Sequence, residues 1–409
     1  MRRLCLLLGM PQNRFASVHV VGTNGKTSVV RMTTALLEGH GVSTGAYVSP
    51  HITSWRERVL IHGEPISEEA FTAALERAEE SAQAADRSAG EEGPVTQFEL
   101  LTAAAFVAFA AARVQYAVIE AGLGGRLDAT NVIPSTLTVL TSVGHDHTEW
   151  LGETLEEIAG EKVAVLRDHT TLITGELPDE VVPLVERFAE ERHATHIRAA
   201  SVANNLLPSY QGKNLALAQA VTGQLLGELD TEALAAFAEG LATSRFAIKG
   251  RAELLPGDPP MMFDAAHNPD GAAALAEALP ALLPPRRVRR GLRGEWRPAD
   301  VVCCLAILEG KDAAGIVNAL APAVSHFVCT EIPPERIEGS GRPGGRARPA
   351  LEVAALCQKA GVEAEAIADP LTAWERAREL ARERRGVALA AGSHYLLSAL
   401  WTERPAQSS

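Results

Sequence analysis

The chain has 409 residues, of which 46% are hydrophobic and 22% charged, so it is typical of a soluble globular enzyme and long enough for two domains. Its formal net charge of -13 argues against a nucleic-acid partner, although a local basic pocket for an anionic substrate is compatible with it. Five cysteines without a metal-binding or disulfide spacing favour a reducing cytoplasm, and no apolar run is long enough to span a bilayer.

Short runs of β-branched residues alternate with longer helical patterns, which predicts an α/β fold with a mostly parallel sheet. In the first half, the predicted strands cover residues 18–22, 44–49, 115–121, 136–143 and 171–174. The predicted helices there cover residues 26–39, 67–85, 97–112, 154–167 and 178–192. Two Ala/Leu-rich helical stretches follow, from Asn214 to about Leu241.

The segment "TSRFAIKGR" interrupts this pattern, and we predict an interdomain hinge at residues 243–250. A second α/β series follows, through "RAELLP", "PMMFDAA", "DVVCCLAIL", "HFVCTEI", "VEAEAI" and "GVALAAG". We therefore predict an N-terminal phosphate-loop ATPase domain over residues 1–245 and a smaller, Rossmann-like C-terminal domain over residues 246–409. The stretches "PPRRVRRGLRGEWRP" and "PPERIEGSGRPGGRARP" are predicted to be solvated loops.

The stretch "VHVVGTNGKTSVVRM" carries a strong chemical signal, because a strand, a glycine-rich loop and a helix follow one another. Gly22 and Gly25 allow a tight turn whose N–H groups meet at a helix N-terminus, an arrangement that binds anions. Lys26 would contact the β- and γ-phosphates, and the hydroxyl of Thr27 or Ser28 would hold Mg²⁺ or a phosphate oxygen. The full phosphate-loop pattern has one more glycine upstream, so a simple β–α turn with an exposed lysine is the alternative.

The stretch "GHDHTEWLG" places His145, Asp146 and His147 just after an apolar strand. Taken alone, two histidines beside an acid suggest a transition-metal site, as in a metal-dependent hydrolase, because imidazole suits zinc better than magnesium. The alternative is a turn in which Asp146 caps backbone amides and the histidines face solvent. The residues themselves leave both interpretations open.

A lysine stands among the apolar positions of the predicted helix "TLEEIAGEKVAVL". This helix begins with a capping box formed by Thr154 and Glu157, and its apolar stripe lies on the face that also carries Lys162. The usual interpretation of such a lysine is that its stem packs in the core while its ammonium group reaches water.

The loop "GTNGKT" resembles that of the ATP-dependent Mur ligase superfamily, and other blocks resemble folylpolyglutamate synthase and dihydrofolate synthase. These blocks are "YVSPHI", "RERVLIHGEPIS", "TQFELLTAAAF", "VIEAGLGGRLDATNVI", "SVGHDHTEWLGETLEEIAGEKVAVL", "FDAAHNPDG" and "AGSHYLL". They follow the family's order from near residue 9 to near residue 397, so the resemblance covers nearly the whole chain.

The resemblance implies that the chain binds ATP and two Mg²⁺ ions, together with a monovalent cation. The implied ATP-binding residues are Thr23, Asn24, Gly25, Lys26, Thr27, Ser28, Asn214, Arg251 and Asp264. The implied metal ligands are Ser49, Glu120, His147 and Lys162. A bare ammonium group would repel Mg²⁺, and the matching lysine of the family is carbamylated, which would make Lys162 an oxygen ligand. From the residues alone, Asp264 could instead cap the following helix.

The same resemblance implies a binding site for a pterin group and a set of catalytic residues. The substrate-binding residues would be Thr96, Gln97, Phe98, Glu99, Leu127, Asp128 and Ala129. The catalytic residues would be Lys26, Lys162, His147 and His267. From the pattern alone, "TQFE" also fits a helix N-cap followed by a core phenylalanine, and both interpretations can hold together.

Together these features predict an ATP-dependent ligase that adds L-glutamate to folate or to dihydropteroate through an acyl phosphate. We expect a cytoplasmic monomer without nucleic-acid or membrane partners. Two departures from the family pattern, Thr27 and Ala265, bear on specificity more than on the type of reaction. The alternatives are a Mur-type cell-wall ligase acting on a UDP-linked precursor and a nucleotide-binding protein without catalytic activity.

Overall fold

The computed structural model describes residues 1–87, 93–200, 207, 209–242, 248–283, 286–290, 293–297, 299–338 and 344–401. The chain divides into two units. The N-terminal unit comprises Met1–Leu207 and Gln211–Phe246, and the C-terminal unit comprises Pro208–Tyr210 and Ala247–Ser409. The predicted domain boundary and most of the predicted hinge fall on residues 243–247, which lie outside the described residues.

A largely parallel sheet organises the N-terminal unit. Its described strands are β1 (Ala16–Val21), β2 (Thr44–Tyr47), β3 (Val59–Ile61), β4 (Glu64–Pro65), β5 (Tyr116–Glu120), β6 (Leu137–Leu140), β7 (Thr171–Thr174) and β8 (Thr195–Arg198). They are arranged in the order β4-β3-β2-β5-β1-β6-β7-β8, in which the β2–β3 and β3–β4 pairs are antiparallel and the other described pairs are parallel. Because β1 is central and covered on both faces, its polar residues Ser17 and His19 are as fully buried as its three valines.

The described helices up to residue 242 are α1 (Arg2–Leu7), α2 (Lys26–Gly39), α3 (Glu68–Arg87), α4 (Gln97–Ala112), α5 (Thr148–Leu151), α6 (Leu155–Val163), α7 (Val182–Glu191), α8 (Ser209–Leu226) and α9 (Thr231–Ala242). Capping boxes start α4 and α6, in each case with a threonine and a glutamate three residues later. The long α4 is apolar on nearly every side and mostly buried, since it packs against β2, β3 and α3.

The C-terminal unit repeats the α/β principle on a smaller scale. Its described strands are β9 (Glu253–Leu255), β10 (Met261–Phe263), β11 (Arg286–Arg290), β12 (Arg293–Arg297), β13 (Val301–Leu305), β14 (His326–Cys329), β15 (Ala364–Ala366) and β16 (Val387–Ala391). Its described helices are α10 (Pro269–Leu282), α11 (Ala313–Leu320), α12 (Pro334–Glu338), α13 (Ala350–Lys359), α14 (Pro370–Glu383) and α15 (His394–Leu400). The main sheet has the order β15-β14-β13-β16-β10-β9, with β9 antiparallel at one edge.

The predicted α/β class is confirmed, and the differences lie in short or polar elements. Strands β3, β4 and β8 were not predicted because they are only two to four residues long or largely polar. The prediction of a loop for the arginine-rich stretch was wrong, because β11 and β12 pair as an antiparallel hairpin. In the glycine-rich stretch, residues 339–343 lie outside the described residues. Among the helices that the structure describes, none combines the length and apolarity that crossing a bilayer requires.

Candidate functional site

The glycine corner (residues 22–26) joins the end of β1 to the start of α2. Gly25 has a φ of +84° and Gly22 a φ of +150°, conformations that side chains disfavour. A Cβ atom at Gly22 would collide with the Thr141 side chain, and one at Gly25 would collide with the amide group of Asn214. Both glycines are therefore required by their own backbone conformation and by the close approach of neighbours.

The residues after β6 hold the glycine corner in place. The Thr23 N–H donates to the carbonyl oxygen of Ser142, and the Asn24 N–H donates to the hydroxyl of Ser142, each over 2.9 Å. The Thr23 hydroxyl donates to the carbonyl oxygen of Gly144 over 3.2 Å. These contacts use the two amides, so anion binding at this corner falls to the N-terminus of α2, whose first N–H groups have no partner within the helix.

Two lysines converge on one carbonyl oxygen of the glycine corner. Lys26 Nζ lies 3.0 Å from the Gly22 oxygen and 3.1 Å from the Thr23 oxygen. Lys162 Nζ, from α6, lies 3.1 Å from the same Gly22 oxygen, and its residue is only 4% exposed. Burial, reinforced by the charge of Lys26, lowers the pKa of Lys162 to about 7. The expectation of a lysine whose ammonium reaches water is therefore wrong.

A buried carboxylate closes the other side of the corner. Glu120, at the end of β5, is 2% exposed, and its Oε2 accepts hydrogen bonds from the Thr27 hydroxyl over 2.9 Å and from the Ser49 N–H over 3.2 Å. The structure thus brings three of the predicted metal- or phosphate-binding residues together. Carboxylate and hydroxyl oxygens are the ligands that Mg²⁺ prefers, so this donor set fits a magnesium ion.

The other two predicted metal ligands, Lys162 and His147, fit less directly. A protonated amine repels a cation and Mg²⁺ prefers oxygen to a neutral amine nitrogen, so Lys162 fits a magnesium ion only after carbamylation. His147 has a positive φ and caps α5, and its ring nitrogens lie 3.9 Å from carboxylate oxygens of Asp146 and Glu149. No group of three or more His, Cys, Asp and Glu side chains in the described part of the chain is arranged to hold a metal ion. The zinc-like interpretation of the two histidines therefore has no third ligand of these types.

The Asp128 loop (residues 122–131) connects β5 to the segment before β6. Asp128 accepts hydrogen bonds from the N–H groups of Leu123 and Thr130, both over 2.9 Å, and burial raises the pKa of its carboxyl group. Leu127 beside it is 91% exposed, whereas Ala129 is buried. Asp128 thus orders the loop and leaves a large apolar side chain in solvent at its tip.

The predicted substrate segment at the start of α4 serves mainly as a helix cap. Thr96 and Glu99 bond to each other's backbone N–H groups, and Glu99 also pairs with the amino group of Met1. The Phe98 ring packs where a Cβ atom on Gly122 would stand, so it contacts the start of the Asp128 loop. Gln97 is exposed. A role for these four residues in substrate binding stays a prediction.

In the C-terminal unit, predicted residues gather after β10. Asp264 accepts hydrogen bonds from the N–H groups of Ala252 over 2.7 Å and Ala266 over 2.8 Å, and burial raises its pKa although the nearby Arg251 lowers it. The helix-cap alternative for Asp264 is wrong, because the side chain that caps α10 is Asn268.

His394 was missed by sequence reasoning and lies beside these residues. Its Nε2 is 3.4 Å from an Arg251 nitrogen, and its ring centroid is 5.4 Å from that of His267. The block "AGSHYLL" was the signal that could have pointed to it.

Comparison with known proteins places these features in a family. Residues 20–222 match the Mur ligase middle domain, and residues 250–394 match the glutamate ligase domain of Mur ligases. A dihydrofolate synthase/folylpolyglutamate synthase from Mycobacterium tuberculosis is 35% identical over 402 residues, which cover 87% of this chain and 75% of that protein.

Solved structures agree with this assignment. Folylpolyglutamate synthase from Mycobacterium tuberculosis, complexed with ADP and AMPPCP, superposes with a TM-score of 0.85 at 30% identity, covering 99% of this chain and 95% of that one. A bifunctional folylpolyglutamate synthase/dihydrofolate synthase with Mn, AMPPNP and L-glutamate bound gives a TM-score of 0.78 at 25% identity, covering 98% and 93%.

Proposed function

This chain belongs to the folylpolyglutamate synthase/dihydrofolate synthase family of Mur ligases, and we propose that it uses ATP to join L-glutamate to a folate or to dihydropteroate. The product bond is an amide between a carboxyl group of the acceptor and the α-amino group of glutamate. One observation supports this most: Lys26, Lys162 and the pair Thr27–Glu120 surround a glycine corner at a helix N-terminus.

The proposed reaction has two steps in which atoms balance. A carboxylate oxygen of the acceptor attacks the γ-phosphorus of ATP, the bond to the β-phosphate oxygen breaks, and ADP leaves. The glutamate amine then attacks the carbonyl carbon of the acyl phosphate, the carbon–oxygen bond to phosphate breaks, and inorganic phosphate and a proton leave. Lys26 and the N-terminal N–H groups of α2 stabilise the negative charge that develops on the transferred phosphoryl group.

We propose that Glu120, Thr27 and Ser49 hold a magnesium ion that arrives with ATP. When bound, this ion neutralises charge on the phosphate oxygens. The chain's own contribution is to keep the Glu120 carboxyl group buried and aimed at the corner through its hydrogen bonds from Thr27 and Ser49. A second magnesium ion near His147 and Lys162, and a monovalent cation, remain proposals that metal titration of the purified protein would test.

Lys162 is proposed to act as its carbamate. In the structure two amino groups, those of Lys162 and Lys26, bond to one oxygen of Gly22, an arrangement that disfavours two full positive charges. A neutral amine adds CO₂ through a new N–C bond and releases one proton to solvent to give a carbamate, which would convert a repelled group into an anionic partner of Mg²⁺ and of Lys26. Carbon-13 NMR of the protein in labelled bicarbonate should show one carbamate signal that Lys162→Met abolishes. An active enzyme with an unmodified Lys162 would contradict this assignment.

The folate or dihydropteroate acceptor is proposed to bind along the Asp128 loop, with Asp128 as its polar contact and Leu127 as its apolar contact. Asn214, Arg251 and His267 are proposed to assist ATP binding or phosphoryl transfer, and Asp264 is proposed to assist by holding the turns that carry Arg251 and His267. We further propose that the protein acts in the cytoplasm as a monomer, without nucleic-acid or membrane partners. Sedimentation of the purified protein would test the oligomeric state.

The decisive experiment measures glutamate-dependent ADP release with three acceptors: dihydropteroate, tetrahydrofolate and a UDP-linked cell-wall precursor. Release with either pteridine supports the proposal and shows which acceptor is used. Release with the cell-wall precursor alone would favour the Mur-type alternative. ATP binding without release in any of the three reactions would favour a non-catalytic nucleotide-binding protein.

A further inference from the structure

A histidine in the middle of β1 has no part in the site described so far. His19 is fully buried between two valines of the strand. Its register partners on the adjacent strands are Ile119 and Thr138. Burial, helped by the charge of Arg167, lowers the pKa of His19 to about 3, so the ring is neutral.

One hydrogen bond joins this ring to the Asp128 loop. His19 Nε2 lies 2.8 Å from Thr130 Oγ1. The hydroxyl and the N–H of Thr130 both bond to Oδ1 of Asp128, the N–H over 2.9 Å. The other oxygen of Asp128 accepts from the Leu123 N–H over 2.9 Å. His19 is thus connected through a single hydroxyl group to a carboxylate that is held at both oxygens.

The chemistry of these groups sets the direction of each hydrogen bond. Both oxygens of Asp128 already accept backbone N–H groups, so the Thr130 hydroxyl gives its single proton to Asp128. The hydroxyl oxygen then accepts from His19, which must carry its proton on Nε2. This tautomer leaves Nδ1 as a bare acceptor, and within the described residues Nδ1 has no hydrogen-bond partner.

Packing alone would favour an apolar residue at this position. A buried polar atom without a partner is costly, and the neighbours of His19 on its own strand are valines. The hydrogen bond to Thr130 is what a valine or leucine could not supply. We propose that His19 is a positioning residue for the acceptor substrate, which it serves by fixing Thr130 and, through Thr130, the orientation of the Asp128 carboxylate. This inference rests on the proposed function, which places the acceptor at Asp128.

Four variants separate this role from a general effect on the core. His19→Leu removes the donor while keeping an apolar side chain of comparable size, and Thr130→Val removes the hydroxyl without changing shape. His19→Gln keeps an N–H at a similar distance from the backbone and is the conservative rescue. Thr138→Val is the matched control, because Thr138 is a buried neighbour of His19 whose hydroxyl, within the described residues, has no hydrogen-bond partner.

We expect His19→Leu and Thr130→Val each to raise the KM for the acceptor about tenfold, with the KM for ATP within about twofold of wild type. The double variant should be no worse than either single variant, because the two residues act in series on one carboxylate. His19→Gln should recover most of the acceptor affinity, and Thr138→Val should leave both KM values unchanged.

Steady-state ADP release by the full-length protein, with circular dichroism as the check on folding, decides the outcome. A folded His19→Leu with an unchanged acceptor KM overturns the inference, as does an equal rise in the KM values for ATP and acceptor. If His19→Leu does not fold, Thr130→Val decides in the same way. A wild-type protein that releases no ADP with any folate acceptor overturns the proposed function and this inference together, whereas active wild type with indistinguishable variants overturns the inference alone.

Discussion

Both units place a buried carboxylate at the carboxyl end of a parallel strand, but the two carboxylates have different partners. Glu120 ends β5 and accepts hydrogen bonds from the Thr27 hydroxyl and the Ser49 N–H. Asp264 follows β10 and accepts from the backbone N–H groups of Ala252 and Ala266. The same residue chemistry at the same place in the fold is therefore used in two ways.

The difference lies in how readily each partner can be exchanged. A hydroxyl group rotates and still offers a lone pair to a cation, so Thr27 and Glu120 can both turn toward a metal ion, and one backbone donor, the Ser49 N–H, loses its acceptor. Backbone N–H groups are fixed by the chain, so a cation at Asp264 would leave two buried donors without an acceptor. We conclude that Glu120 is suited to ligand exchange and that Asp264 mainly secures the turns around it.

The largest effect is expected at the glycine corner of the N-terminal unit. Lys26→Ala should lower glutamate-dependent ADP release at least about 10³-fold, because a positive charge at the phosphates is lost, while the fold stays intact. A coupled ADP assay and circular dichroism measure the two quantities. Lys213→Ala, at an exposed lysine of the same unit, is the control and should retain wild-type rates. Substantial release by Lys26→Ala would refute the role of the corner.

The next largest effect tests exchange at Glu120. Glu120→Gln keeps an oxygen for the Thr27 hydroxyl but removes the negative charge, so the rate should fall about 10²-fold and half-saturation should need more magnesium. Urea unfolding should show little change in stability. An unchanged magnesium dependence would mean that Glu120 is not a metal ligand.

A smaller effect, on stability rather than metal binding, is expected at Asp264. Asp264→Asn has one carbonyl oxygen for two N–H groups, so the free energy of unfolding should fall by about 1–3 kcal/mol. Urea titration measures this loss, and the magnesium dependence of ADP release should stay as in wild type. The proposed difference between Glu120 and Asp264 is refuted if Asp264→Asn changes the magnesium dependence of ADP release and leaves the free energy of unfolding unchanged.

The last prediction is a pH dependence of stability that originates at Lys162. Its folded pKa of about 7 lies below the ordinary 10.5, so between these values the unfolded chain binds a proton that the folded protein has released. In CO₂-free buffer the free energy of unfolding should therefore rise with pH between about 7 and 10.5. Below about pH 7, Lys162 is protonated in both states and the folded protein carries the full cost of burying its charge. Chemical denaturation at several pH values should show the rise in wild type and its loss in Lys162→Met. An identical rise in both proteins would assign it to another group.

Local patterns predicted much of this molecule because their determinants are close in sequence. The capping box of Thr154 with Glu157 forms as expected, and the N-cap expected in "TQFE" forms at Thr96 as part of a capping box with Glu99, since each cap links residues three positions apart. The strand–loop–helix at the glycine corner also forms as expected, with α2 starting at Lys26. Short polar strands such as β8 escaped prediction because their pairing partners, rather than their own residues, hold them in the sheet.

The partners of the site residues were beyond local reasoning. Lys162 bonds to an oxygen 140 positions away, Glu120 to a hydroxyl 93 positions away, and His19 to a hydroxyl 111 positions away. Each of these contacts exists because the strand order brings β5, β1 and β6 side by side, an order that no short pattern encodes.

The amino-acid sequence by itself determined the α/β class, the starts of α2, α4 and α6 and the glycine corner, since backbone freedom at glycine and contacts within one helical turn act over a few residues. Only the tertiary structure decided that Lys162 points into the core rather than to water and that Asp264 holds turns instead of capping a helix. The physical reason is that burial and long-range hydrogen bonding depend on which strands become neighbours, and the whole chain must fold before that is settled.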